Sequence, residues 1–450
     1  MSLPRYPAYK DSGVEWLGQV PAHWEVTPIG HRYNVQLGKM LDTSKISGEH
    51  LAPYLRVFDV QWGAINTQDL PTMDFSGGDR VKFSLRAGDL LVNEGGSYPG
   101  RSAIWTGQLQ ECFYQKALHR LRAYRHHEDS SKFLYYLMAV AVDQGVFVAG
   151  GNEATIEHLP AERFRRYRFP FPRLSEQTAI TSFLDRETAK IDALMAEQQR
   201  LIDLLKEKRQ AVISYAVTKG LNPDAPMKPS GTEWLGDVPA HWAAMPLKRD
   251  LVFLTSGSRG WADYYADAGA LFIRIANLTR DGIGLDLSDA QRVEVPDGSE
   301  GSRTRVQTGD VLFSITAFLG SVAVVPEDLD SAYVSQHVAL ARLRQAYLSP
   351  VWVAYAALSI VGKTWFDTQS YGGTKIQLSL DDVRDLPLPV PPLAEQLAIT
   401  AHLDAETARL DALTAAAQSA IDLLRERRAA LISAVVTGQI DVRSLPQMNL

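Results

Sequence analysis

A single cysteine, Cys112, in 450 residues leaves no partner for an intramolecular disulfide and no thiolate set for a zinc or iron–sulfur site. Long apolar runs are missing too. The longest, residues 133–142, is far shorter than the ~20 residues a membrane helix needs. The opening Met1-Ser2-Leu3-Pro4-Arg5-Tyr6 has no apolar segment of a secretion signal. An excess of positive charge is also absent. The chain carries 46 Lys+Arg against 52 Asp+Glu, a net of −6, which is not the footprint of a free-standing nucleic-acid binder. What is present is 46 % hydrophobic and 22 % charged residues, an ordinary globular composition long enough for about three domains. These features predict a soluble, cytoplasmic protein without a membrane partner.

Signatures of catalysis are scarce as well. Gly362-Lys363-Thr364 suggests a phosphate loop, but the glycine required five residues earlier is Ala357, and the segment follows an apolar helix pattern. No G-x-G-x-x-G opens a strand–turn–helix unit, and neither H-E-x-x-H nor a G-x-S-x-G elbow occurs. No Asn-Pro-Pro-aromatic tetrad is present for methylation of adenine. His126-His127 lacks the i, i+4 spacing that would put two ligands on one helix face, and reads as a polar turn. His23 and His241 occupy equivalent places between Ala and Trp, which points to packing. The expectation is a recognition or scaffolding protein, with no catalytic residue, no metal site and no cofactor of its own.

A repeat organises the chain. Ser12-Gly-Val-Glu-Trp-Leu-Gly-Gln-Val-Pro-Ala-His-Trp24 returns as Ser230-Gly-Thr-Glu-Trp-Leu-Gly-Asp-Val-Pro-Ala-His-Trp242, with two differences. Residues 174–221 align without a gap on 393–440, 27 of 48 positions being identical, which chance cannot produce. The intervening bodies are far more divergent. Ala87-Gly-Asp-Leu-Leu91 answers Thr308-Gly-Asp-Val-Leu312, and residues 117–122 answer 339–344. The first body region, 1–175, holds 20 basic and 18 acidic side chains, whereas 228–392 holds 14 and 19. Each copy is therefore domain-sized.

The similar segments predict long helices. Residues 176–218 contain neither Gly nor Pro; prolines precede each segment, and Gly220 and Gly438 end them. About 40 residues make a rod of roughly 60 Å. Ile191, Leu194, Leu205 and Val212, with Leu410, Leu413, Leu424 and Leu431, fit a heptad seam. The bodies read as mixed α/β, with strand-like runs at 55–60, 90–92, 271–275 and 311–315, and helices at 132–142 and 351–361. Arg163, Arg165, Arg166 and Arg168, interleaved with Phe164 and Tyr167, suggest a strand with one apolar face. Asn222-Pro-Asp-Ala-Pro-Met-Lys-Pro229 reads as a linker.

These residues resemble a known family. Tyr9 to Trp24, Phe171-Pro-Arg-Leu-Ser-Glu176-Gln177 with Ile180, Val390-Pro-Pro-Leu-Ala-Glu395-Gln396 with Ile399, and the helix ends at 213–220 and 432–443 are similar to the specificity subunits of Type I restriction–modification systems. The resemblance spans almost the whole chain. It implies an α/β (mixed) fold with two target recognition domains, at 1–175 and 230–392, separated by an antiparallel coiled coil of helices 176–219 and 393–437 in a pseudo-two-fold arrangement. A linker at 220–229 and a tail at 438–450 complete the division. It further implies that each domain reads one half of a split double-stranded DNA site. Glu176, Gln177, Ile180, Glu395, Gln396 and Ile399 would lie on helices docking two methyltransferase subunits. Motor–nuclease restriction subunits would join them, and S-adenosylmethionine, ATP and Mg would belong to those partners.

On that reading the DNA-contact candidates in the first body are Lys39, Lys45, Arg56, Arg101, Asn152 and Thr155. Those in the second are Arg259, Arg274, Asn277, Gly373, Thr374 and Lys375. The loop carrying Lys39 and Lys45 has no clean sequence equivalent at 256–260. The rival reading is a structural adaptor with two protein-binding heads on a coiled coil and no DNA partner.

Overall fold

The computed structural model describes residues 4–41, 47–96, 98–147, 158–232, 235–296, 299–369 and 377–444. Two helices dominate: Leu174–Lys219 and Leu393–Val436. Both follow a proline and end at a glycine in the left-handed region, Gly220 at φ +74° and Gly438 at φ +79°. Glycine adopts that conformation without the Cβ penalty other residues meet.

The chain divides into two compact units, Met1–Glu197 with Ala420–Leu450, and Gln198–Ser419. Each unit therefore holds one body, the first half of its own long helix and the last half of the other. In the first unit Arg428 donates to Asp192 at 2.9 Å. In the second, Arg209 donates to Asp411. A helix start beside a helix end means that the segments run antiparallel within each unit. Ile191, Ile202, Leu205, Leu410, Ala417 and Ile421 are buried, whereas Leu194 and Leu413 are exposed. The expected seam is thus corrected at those two leucines, which face away from the packed side.

In the first unit, Tyr9–Asp11 pairs with Gln19–Pro21, and Glu25–Pro28 pairs with Arg168–Phe171. An antiparallel sheet follows in the order Ser102–Ile104, Leu90–Asn93, Leu118–Ala123, Tyr33–Leu37. A second sheet places Leu51–Leu55 between Thr72–Asp74 and the parallel strand Phe113–Tyr114. The apolar helix Ser131–Asp143 joins the core, where Trp24 meets Phe133 edge to face at 6.3 Å. Ile180 and Leu184 of the first long helix, and Ile432, Val435 and Val436 of the second, share that core.

The second unit repeats the plan. Met227–Pro229 pairs with Asp237–Pro239, and Ala243–Pro246 with Pro387–Val390. Its main sheet runs Leu251–Ser256, Val338–Leu343, Val311–Ser314, Val322–Val324. A further sheet runs Tyr265–Ala266, Gln291–Val293, Ala270–Ile273, Ala332–Val334. Trp242 meets Trp352 edge to face at 5.8 Å, with Ile399 and Leu403 beneath and Ile213 and Val217 contributed by the other long helix.

Several sequence expectations are corrected. The runs at 55–60 and 271–275 are not continuous strands: each strand ends and a 3-10 turn follows, Val57–Asp59 and Ile275–Asn277. The 351–361 helix is broken at Ser359 into Pro350–Leu358 and Ile360–Gln369. The basic run at 163–168 is a helical turn, Ala161–Phe164, leading to the strand Arg168–Phe171, because the Pro160 carbonyl accepts from Phe164 N at 2.8 Å and Phe164 buries inward. Gly362 lies inside a helix, not in a phosphate loop.

The repeat alignment of residues 117–122 on 339–344 also shifts. Arg122 holds Asp89 through two hydrogen bonds at 2.7 and 2.6 Å, and Arg342 holds Asp310 through two at 2.8 and 2.7 Å. Arg122 therefore answers Arg342, two residues from the sequence alignment. A two-residue slip along a strand preserves which side chains face the core, so the pattern could not reveal it.

Candidate nucleic-acid interface

At one end of each main sheet, the chain leaves its first strand through a glycine with no room for a side chain. A Cβ on Gly38 would lie 2.3 Å from the Gln115 carbonyl oxygen, and one on Gly257 would lie 2.0 Å from that of Val334. Gly38 donates to Leu118 O at 3.0 Å and Lys39 to Tyr114 O at 3.0 Å; Gly257 donates to Val338 O at 3.2 Å and Ser258 to Val334 O at 3.1 Å. The two loops thus share one backbone hinge although Lys39 stands where the second body has Ser258, an equivalence their side chains concealed.

A second shared device is the 3-10 turn. In the first body the Asp59 carboxylate accepts from the Arg56 backbone at 2.7 Å and from its guanidinium at 2.8 and 2.9 Å. In the second, Asn277 accepts from the Arg274 backbone at 2.9 Å. The Arg56 guanidinium also covers the exposed Phe58 ring at 4.1 Å.

The third is the hairpin between sheet strands. Asn93 N donates to Arg101 O at 2.8 Å and Ser314 N to Ser321 O at 2.9 Å, so Arg101 and Ser321 hold equivalent places. Asn93 Nδ2 donates to Val57 O at 3.4 Å, bringing the first hairpin against its 3-10 turn. Lys116 N donates to Lys39 O at 2.8 Å and Glu94 N to Ala117 O at 2.9 Å, which joins the glycine-hinged loop to the same end. Lys39, Arg56, Arg101 and Lys116 therefore belong to adjoining loops of one body. Behind them, the buried His119 donates to Leu159 O at 2.7 Å, and burial holds its imidazole down at about 4, so it is neutral. Burial pushes the Glu94 carboxyl up from its ordinary range.

The nominated residues have different fates. Lys39 donates to Asp79 at 2.8 Å and lies over Phe75 at 5.1 Å. Arg101 donates to Gln61 and stacks on Tyr98 at 3.9 Å. Arg274 donates to Asp289 O at 3.0 Å, and Asn277 is buried, with Nδ2 donating to Asp286 O at 2.9 Å. Arg259 is exposed beside the second glycine hinge. Lys45, Asn152, Thr155, Gly373, Thr374 and Lys375 lie outside the described residues. The same loops carry Lys116, Gln61 and Tyr98, which sequence reasoning did not nominate, and in the second body Arg280 lies over the Phe318 ring at 3.4 Å. Single exposed side chains in loops leave no periodic signal.

The helix-start motifs are absorbed by each unit's own packing. Gln177, fully buried, accepts from Ser130 N at 2.8 Å and donates to Glu128 O and Pro172 O at 3.1 and 2.9 Å. Gln396 repeats this with Ser349 N, Tyr347 O and Pro391 O at 2.9, 2.7 and 2.9 Å. Glu176 accepts from Trp24 Nε1 at 3.0 Å and lies 2.8 Å from His23; Glu395 lies 2.7 Å from His241. Ile180 and Ile399 are buried. Exposed leucines lie elsewhere on the helices: Leu194 and Leu423 in the first unit, and their repeat equivalents Leu413 and Leu204 in the second. Among the described residues, no cluster of His, Cys, Asp and Glu could hold a metal, and no helix is long and apolar enough to cross a membrane.

Comparison with known proteins adds the following. The family model described as Type I restriction modification DNA specificity domain matches residues 21–203 and 299–422. The chain is 23 % identical over 397 residues to the Type I restriction enzyme EcoBI specificity subunit of Escherichia coli, covering 86 % of this chain and 80 % of that one. It is 21 % identical over 442 residues to the putative Type I restriction enzyme MjaX specificity subunit of Methanocaldococcus jannaschii, covering 95 % and 96 %. Among solved structures, a chain from work on complex assembly and conformational transition of the type I R-M system superposes with TM-score 0.71, at 16 % identity, over 94 % of this chain and 99 % of that one. The HsdS subunit of Thermoanaerobacter tengcongensis superposes with TM-score 0.52, also at 16 % identity, over 94 % and 98 %.

Proposed function

Because the chain belongs to the Type I restriction–modification DNA specificity family, we propose that its two bodies each read one half of a bipartite double-stranded DNA site. The observation that carries this reading is a loop scaffold built twice with different side chains: glycine hinge, arginine-led 3-10 turn and sheet hairpin. Equal scaffolds with unequal side chains suit two different half-sites. The repeat-related exposed leucines, Leu194 and Leu423 in the first unit and Leu413 and Leu204 in the second, support docking of two identical methyltransferase subunits on the helices, although Leu201, Leu393 and Leu397 are exposed in the second unit alone. Motor–nuclease subunits would complete a restriction complex.

In this reading the chain is a non-catalytic subunit, and S-adenosylmethionine, ATP and Mg act on the partners. The net charge of −6 argues for modest DNA affinity alone, with partners adding phosphate contacts. The test is methyl transfer to a library of bipartite sites by the chain alone, the methyltransferase alone and the two together. Sequence-specific methylation by the pair only is expected. Methylation by the chain alone would overturn the non-catalytic assignment. Loss of site preference in the pair would favour a structural adaptor.

A further inference from the structure

The hairpin tips carry a feature that the family resemblance does not assign. Tyr98 and Phe318 occupy the same position of the same turn: Arg101 N donates to Tyr98 O at 3.3 Å, and Ser321 N to Phe318 O at 3.2 Å. The intervening Gly100 and Gly320 both have φ +86°. Both rings project into solvent, with 58 % and 51 % of their surfaces exposed. One exposed aromatic is unremarkable on a protein surface, but the same tip in two divergent bodies is a pattern.

Each ring is also capped by a guanidinium, reached by a different route. Arg101, three residues along the same hairpin, lies 3.9 Å from the Tyr98 centroid. In the second body that position is Ser321, yet Arg280, from the loop after the 3-10 turn, lies 3.4 Å from the Phe318 centroid. In both bodies an arginine joins the hairpin tip to the chain that follows the 3-10 turn, since Arg101 also donates to Gln61 of the short strand Val60–Gln61. Ala317, just before Phe318, has φ +50°, a left-handed conformation that brings the Cβ of a non-glycine residue too close to the following carbonyl oxygen. Strain of this kind persists where the surroundings hold a residue in one orientation, and it clusters at functional sites.

We propose that Tyr98 and Phe318, with Arg101 and Arg280, are the groove-entering pairs of the two half-sites. The ring takes an apolar base edge such as a thymine methyl, and the guanidinium takes an adjacent phosphate. The proposal rests on the reading that the bodies bind DNA. The cap leaves only one ring face and the edge open, which fits edge contact in a groove and excludes stacking between two bases. A protruding ring needs a concave partner, and a duplex groove is one. The cap also supplies local positive charge, needed most in the second body, where acidic residues outnumber basic ones.

The test uses the complex of this chain with its methyltransferase, and a randomised bipartite DNA library scored by methylation. Tyr98→Ala should relax preference about tenfold at one base position of one half-site, and Phe318→Ala at one position of the other. Tyr98→Phe should retain the wild-type preference. Arg280→Ala should flatten the salt dependence of binding by about one phosphate contact while leaving base preference intact. The proposal is overturned if both alanine variants keep wild-type preferences within about twofold. It is equally overturned if they lose methylation at all sites alike together with capture of the methyltransferase, which would make the tips a protein-docking surface. Wild-type complex without any site preference would instead refute the underlying DNA reading. Thermal melting of each variant, matched to the wild type, separates contact loss from unfolding.

Discussion

Arg428 donates to Asp192 at 2.9 Å, and the repeat carries the same pair into the second unit with the roles of the two helices exchanged. Asp411 is Asp192 moved on by one repeat, and Arg209 is Arg428 moved back by one, so Arg209 donates to Asp411. One sequence segment thus supplies the acid to one pair and the base to the other. Such reciprocity requires antiparallel helix segments.

The charge pair should matter far less to stability than the seam beside it. Asp192 and Arg428 are 49 % and 36 % exposed, so solvent screens them, and Asp192→Asn should cost under about 0.5 kcal/mol. Ile191→Ala, which empties the buried position next to Asp192, should cost about 2–4 kcal/mol. Urea titration followed by helical circular dichroism compares the two. Equal costs would mean that the seam does not hold the helices together.

Gln177→Ala removes the side-chain partner of three backbone groups, the buried Pro172 O and the part-buried Ser130 N and Glu128 O. The expected loss is roughly 3 kcal/mol, and Gln396→Ala should match it because its partners are equivalent. Differential scanning calorimetry of both variants should show melting lowered by several degrees. A neutral substitution at either site would contradict the role as an internal clamp.

His119 sets a pH dependence with a definite sign. Burial holds the folded imidazole down at about 4, against an ordinary 6.5. The unfolded chain therefore binds the proton first as pH falls. The stabilisation from a neutral buried histidine is fully present above 6.5 and is lost progressively between 6.5 and 4, by up to ~3 kcal/mol. His119→Gln can still donate to Leu159 O and does not titrate. Its urea midpoint should depend on pH more weakly than the wild type's over that window, and coincident profiles would rule His119 out.

Exchange of the first body has a natural cut. Thr27 and Phe169 are direct partners in the strand pair that closes the body, so residues 27–169 can be replaced between two opposed positions. A body taken from another family member should change only one half of the methylated motif. Genome-wide mapping of methylated adenines would read this out, and simultaneous change of both halves would contradict one body, one half-site.

The parts legible in the sequence were those governed by periodicity and repetition. The long helices are Leu174–Lys219 and Leu393–Val436 where composition placed 176–219 and 393–437, because Gly, Pro and good helix formers act locally. The strand register was not legible, as the two-residue shift between Arg122 and Arg344 shows, because alternation repeats every two residues. Which leucines face inward was half legible: Ile191 and Leu205 are buried, but Leu194 is exposed, since a heptad pattern names a stripe without naming what covers it. In the loops at the ends of the main sheets the nominations rested on residue type alone. Arg56 and Asn277 turn out to hold the 3-10 turns, a use their types could not reveal.

The glycine hinges separate what a lineage can rewrite from what it cannot. Beyond Gly38 and Gly257 the two bodies differ in sequence, Lys39 against Ser258. At the glycines even alanine would drive its methyl group into a carbonyl oxygen of the neighbouring strand. New loops can therefore be inherited or grafted onto an unchanged socket, and the graft boundary lies immediately after each glycine.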